Sequence, residues 1–128
     1  LNFLIELDLS ENDFKKNDEK FMSNSINMEI LKLRNCNFNF IDRNFLDFSN
    51  FPKIKYLDMS YNKLTEISPD IISLMRNIDN IIFSHNNIKM FNVTNSLTPI
   101  LIDLSYNKLK KLINLNQESS VATTILIN

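Results

Sequence analysis

The feature that most constrains this chain is a spacing of apolar residues that returns along nearly its whole length. Leu4, Leu7, Leu9 and Phe14 occupy positions 1, 4, 6 and 11 of a frame, with Asn12 at position 9. The same frame returns at Met28, Leu31, Leu33, Cys36 and Phe38, and again at Ile54, Leu57, Met59, Asn62 and Leu64. It returns at Ile78, Ile81, Phe83, Asn86 and Ile88, and at Pro99, Ile102, Leu104, Asn107 and Leu109. The steps between starts are 24, 26, 24 and 21 residues, and a partial sixth copy begins near Ala122 with Ile125 and Ile127 at positions 4 and 6. One such match arises by chance. Five in register do not, and a fixed period of this length marks a stacked array of coils.

The spacing has a physical reading. Positions 4 and 6 lie two apart, so both face one side of a short strand. Positions 1 and 11 close the same interior where the chain enters and leaves that strand. A single coil cannot bury its apolar face, whereas stacked coils form a parallel sheet over one continuous core. At position 9 the chain turns, and backbone groups there need partners. An Asn amide supplies two donors and an acceptor. Asn12, Asn62, Asn86 and Asn107 are therefore expected to form a ladder up the stack, with Cys36 at the second rung as a buried residue rather than a reactive thiol.

This frame resembles the leucine-rich repeat, L-x-x-L-x-L-x-x-N/C-x-L, in which Cys is also accepted at position 9. The resemblance implies an α/β fold: a curved solenoid with a parallel sheet on the concave face and short helices, 3₁₀ turns or loops on the convex face. It implies one leucine-rich-repeat domain over residues 1–128, with repeats starting near 4, 28, 54, 78, 99 and 122.

The return segments carry weaker signals. Ile41, Phe45, Phe48 and Phe51 are spaced as in a helix or 3₁₀ turn facing the core. Ser68-Pro69-Asp70 reads as an N-cap, a proline at the first helical position and an acidic first turn. Ile71, Ile72, Met75 and Ile78 follow as the buried stripe. The first return, Lys15 to Lys20, reads as a solvated loop anchored by Phe21. The fourth is short, with Phe91 inward. It contains Asn92-Val93-Thr94, the one N-x-[ST] sequon of the chain and a candidate glycosylation site.

Composition narrows the function classes. The chain has no glycine, so phosphate-cradling loops are excluded. Its 21 asparagines fit an AT-rich genome. A net charge of −1 argues against a nucleic-acid binder, and no apolar run approaches a membrane span. One cysteine makes neither an internal disulfide nor a thiolate cluster. No cofactor or metal is expected.

Candidate site residues lie on the outward strand positions. Position 8 gives Glu11, Asn35, Tyr61, His85 and Tyr106, so the last three form a row on adjacent coils. Tyr56 and Leu101 at position 3, Ile82 at position 5 and Arg34 at position 7 extend this into a candidate binding surface. Asp8, Lys32 and Asp58 at position 5 are expected to pair across strands. Catalysis at His85, the sole histidine, would need a converging nucleophile and acid, and an open face encloses no dry pocket.

The long repeats with Phe in the return, the Leu7-Asp8-Leu9-Ser10 and Ile102-Asp103-Leu104-Ser105 strands and the sequon resemble extracellular repeats such as those of Toll-like receptors and their secreted relatives. The resemblance implies an extracellular or cell-surface recognition module, with a protein ligand, a co-receptor or a second copy of itself as partner, and a role in innate immunity or as a secreted decoy. An intracellular, cytoplasmic scaffold is the alternative, and a purely structural spacer a third. Such extracellular proteins carry disulfide-bonded caps, which this sequence lacks at both ends. The chain is therefore expected to belong to a longer solenoid or to pair end to end.

Overall fold

The computed structural model describes residues 3–14, 25–41, 43, 46–93, 99–114 and 123–128. Its strands, in chain order, are β1 (Glu6–Asp8), β2 (Ile30–Lys32), β3 (Tyr56–Asp58), β4 (Asn80–Ile82), β5 (Met90–Val93), β6 (Leu101–Asp103), β7 (Lys111–Asn114) and β8 (Thr124–Leu126). Six of them, each three residues at frame positions 3 to 5, form one parallel sheet in the order β1-β2-β3-β4-β6-β8. The register sets Leu7, Leu31, Leu57, Ile81, Ile102 and Ile125 side by side. The fold is a leucine-rich-repeat-type solenoid with few helices.

The interior follows from the frame. Leu31, Leu57, Ile81 and Ile102 at position 4 are buried, as are Leu33, Met59, Phe83 and Leu104 at position 6. Each contributes about 1.5–3 kcal/mol by leaving water. Toward the ends of the sheet Leu7 and Ile125 are only partly buried but still pack on the core.

The returns close the coils from the other side. Leu46, Phe48 and Phe51 are buried around a 3₁₀ turn at Phe48–Asn50, capped by Asp47, whose Oδ1 accepts from the Ser49 amide at 3.0 Å. Ile41 packs on the core, while Phe45 lies outside the described residues. The helix α1 spans Pro69–Leu74, with Ser68 as N-cap and Ile71, Ile72, Met75 and Ile78 all buried. The Ser68 hydroxyl accepts from the Ile71 amide at 3.4 Å, a long bond. Ser68→Ala is therefore expected to lower stability by only about 0.5–1 kcal/mol in urea unfolding. The first return, with Phe21, and the start of the sixth copy at Ala122 lie outside the described residues.

The fourth and fifth returns differ from the sequence expectation. They form a second parallel sheet, β5 with β7, on the far side of the core. The reason is length. The fourth coil, at 21 residues, is the shortest and leaves little room for a helical return, Met90-Phe91 alternates exposed and buried as a strand requires, and β7 of the fifth coil pairs with the strand so formed. Phe91 is buried, as the sequence implied. Asn92 thus sits in a strand rather than a loop. It is partly buried, and its Oδ1 is enclosed without a hydrogen-bond partner. Thr94, the third sequon residue, lies outside the described residues. No helix among the described residues is long and apolar enough to cross a membrane.

Candidate functional site

The Asn ladder is the scaffold on which the outward residues stand. Asn62 is buried, and its Oδ1 accepts from the amides of Cys36 (2.9 Å) and Phe38 (3.0 Å) in the coil before it. Its Nδ2 donates to the carbonyls of Leu33 (2.9 Å), Met59 (3.0 Å) and Ser60 (3.2 Å). Asn86 repeats this with the Leu64 amide and the Met59 and Phe83 carbonyls. Asn107 does so with the Ile88 amide and the Phe83 and Leu104 carbonyls. Cys36 fills its rung with a thiol that donates to Leu9 O at 3.2 Å and Arg34 O at 3.4 Å. Burial pushes that thiol up from its ordinary pKa, which keeps it protonated and a donor. Asn12, at the first rung, is exposed and donates to its own coil at Leu9 O and Ser10 O.

To aim position 9 inward, the backbone must reverse its twist one residue earlier. Glu11, Asn35, Tyr61, His85 and Tyr106 all have φ between 51° and 64°. This is the left-handed region that glycine enters freely, and it costs other residues about 1–2 kcal/mol each. In a chain without glycine, large side chains are held at this bend on every coil, at the edge of the sheet.

Their stacking is continuous. The Arg34 guanidinium lies over the Tyr61 ring, 3.9 Å from its centroid. Tyr61 stacks on His85 at 4.1 Å and 18°, and His85 on Tyr106 at 4.2 Å and 12°. Below them the Asn35 amide donates to the Glu11 carboxylate at 2.6 Å. Arg34 is further steadied by the Ser60 hydroxyl at 3.4 Å. Aromatic pairs of this kind add about 0.5–1.5 kcal/mol, and a cation over a ring about 0.5–1 kcal/mol. Tyr61 and Tyr106 nonetheless remain 42% and 61% exposed, so the row faces solvent through its edges.

The other candidate residues lie on the sheet itself. Tyr56 and Leu101 flank Asn80 in register, and Ile82 lies between Asp58 and Asp103. All three are partly buried. Burial, and then the neighbouring Asp58 carboxylate, push the Tyr56 phenol up. These three side chains stand on the same three coils as the stacked rings, at frame positions 3 and 5 rather than 8.

The position-5 charges need correction. Lys32 does stand in register between Asp8 and Asp58, but its ammonium bonds Glu6, at 2.6 Å. The aspartates turn instead to their own chain: Asp8, Asp58 and Asp103 accept from the amides of Ser10, Ser60 and Ser105 at 2.8–2.9 Å. An Asp side chain reaches the amide two residues on at little entropic cost, and this local bond outcompetes a cross-strand ion pair in water. For Asp8 the Ser10 contacts hold the carboxyl below its usual pKa.

His85 has neither Asp58 nor Ser60 directed at it. Asp58 serves the Ser60 amide, the Ser60 hydroxyl serves Arg34, and the imidazole is covered on both faces. Among the described residues no group of three or more His, Cys, Asp or Glu is placed to hold a metal ion.

Residues 26–88 match the family model of the leucine-rich repeat. The coils within that span match the leucine-rich repeat. The match covers the second and third and the strand of the fourth, and the first and fifth carry the same frame and sheet register. No curated protein and no solved structure matches the chain. A leucine-rich-repeat domain is a protein–protein interaction module, and this solenoid is of the type that serves as a binding scaffold.

Proposed function

We propose that this leucine-rich-repeat chain is the recognition module of an extracellular protein. It binds a protein ligand or co-receptor through the concave patch of Tyr56, Ile82 and Leu101 and the adjoining row of Arg34, Tyr61, His85 and Tyr106. The observation that carries this reading is the row: four side chains in one continuous stack, two of them exposed tyrosines, with its three rings held on strained backbone at the rim. Exposed tyrosine and arginine on a rigid support recognise protein surfaces at low entropic cost. The role proposed is binding: Asp58 serves the Ser60 amide and the Ser60 hydroxyl serves Arg34, so neither is directed at His85. Long repeats with Phe in the return support an extracellular setting of Toll-like or secreted-decoy kind, and Asn92 is the site at which a glycan would be attached.

The test compares proteins captured from extracellular fluid and from cytosolic extract by the wild-type chain and by Tyr61→Ala/Tyr106→Ala. The expected outcome is a partner from extracellular fluid, lost by the double variant, with a melting temperature within about 2 °C of wild type, as suits exposed positions. A large melting loss with capture intact overturns the patch. A partner found only in cytosol overturns the extracellular setting.

A further inference from the structure

The ladder turn separates inward from outward residues after each strand. Positions 9 and 11 point into the core, while 8, 10 and 12 point out: Tyr61, Lys63 and Thr65 are exposed around the buried Asn62 and Leu64. The same alternation holds around Asn86 and Ile88 and around Asn107 and Leu109. Backbone bonds keep these columns in register, with Lys108 N on Ile88 O at 3.0 Å and Lys110 N on Lys89 O at 2.8 Å. The outer flank of three adjacent coils is therefore one surface. It carries Lys63, Lys89, Lys108 and Lys110, all exposed, beside His85 and the Arg34 guanidinium. Residues 61–65, 85–89 and 106–110 contain no carboxylate, although the whole chain has 15 acidic side chains. The first coil carries Glu11 and Asp13 at the same positions, each bonded by an Asn amide of the second coil. The flank thus runs from acidic to basic along the solenoid.

We propose that this lysine strip, beside the stacked rings, is a docking site for a short acidic segment of a protein partner. The proposal rests on the protein-recognition reading above and names the chemistry of the partner. Charge complementarity selects a carboxylate-rich segment. The rings offer little to a nucleic acid: Tyr61 is covered by Arg34 and His85, and His85 by both tyrosines, which leaves the outer face of Tyr106 to stack a single base and no platform for successive ones. What they offer outward is hydrogen-bonding edges. Lys63 and Lys108 stand two coil spacings apart, about 9–10 Å, which an extended peptide covers in about three residues.

The test measures fluorescence anisotropy of a labelled peptide of six glutamates against the 128-residue chain, at low and high salt. Saturable binding that weakens with salt is expected. Lys108→Gln/Lys110→Gln is expected to weaken it about tenfold, and the matched pair Lys53→Gln/Lys55→Gln, outside the strip, to leave it unchanged. Circular dichroism checks that both variants fold. Absence of binding, equal loss in both pairs, or tighter binding of an oligothymidylate of equal charge would each overturn the strip as a site for an acidic protein segment. If Lys108→Gln/Lys110→Gln still captures the extracellular partner that Tyr61→Ala/Tyr106→Ala loses, the strip falls while the recognition reading stands.

Discussion

Asn62→Ala is expected to cost on the order of 3–5 kcal/mol of stability, far more than one hydrogen bond is worth. The reason is what the truncation abandons. The Cys36 and Phe38 amides and the Leu33, Met59 and Ser60 carbonyls all lose their Asn62 partner at once. A buried polar group without a partner costs about 1–3 kcal/mol, offset where water enters. Asn12→Ala is the control within the same column. Asn12 is exposed and bonds only its own coil, so its loss is expected to cost less than about 1 kcal/mol. Urea unfolding of the two variants followed by circular dichroism makes the comparison. Equal shifts in midpoint would mean that the rungs carry no interior load.

Phe83→Ala is expected to be as damaging, by another route. Phe83 is fully buried at position 6 of the fourth coil, with its ring 6.2 Å from that of Phe91 beneath the second sheet. Truncating it opens a void between the two sheets, and such losses run at about 3–5 kcal/mol. Phe40, 51% exposed, is the matched control and is expected to lie within about 0.5 kcal/mol of wild type. The same urea titration reads both. A Phe83→Ala midpoint near wild type would show that the β5–β7 side collapses onto the gap.

The strands, the core list and the ladder were legible because each rests on a spacing that recurs, and a spacing survives exchange of Leu for Ile, Met or Phe. The helix at Ser68-Pro69-Asp70 was legible because cap, proline and acid agree locally. The left-handed bend at position 8 was not. Glycine is its ordinary marker, and this chain places Tyr, His, Asn and Glu there instead. The row of Tyr61, His85 and Tyr106 was visible as a column, but its face-to-face closure depends on side-chain angles that spacing does not carry. Arg34, read as a charged contact, turns out to begin that stack. Column counting also mispaired Asp8, Lys32 and Asp58, because it compares strands and overlooks the serine amide two residues along. The lysine strip was hidden for a different reason. Lys63, Lys89, Lys108 and Lys110 are scattered through a chain of net charge −1, and only the register collects them.

The ladder has a direction. Asn62 satisfies Cys36, Phe38 and Leu33; Asn86 satisfies Leu64 and Met59; Asn107 satisfies Ile88 and Phe83. In every case the amide serves the coil made before its own. On the ribosome each coil therefore waits for its successor. The second coil keeps open amides until Asn62 has left the exit tunnel, 26 residues after Cys36. At about 5–20 residues per second, that interval is roughly 1–5 s. The nascent solenoid closes in the order of translation, always with one unfinished turn at its growing edge.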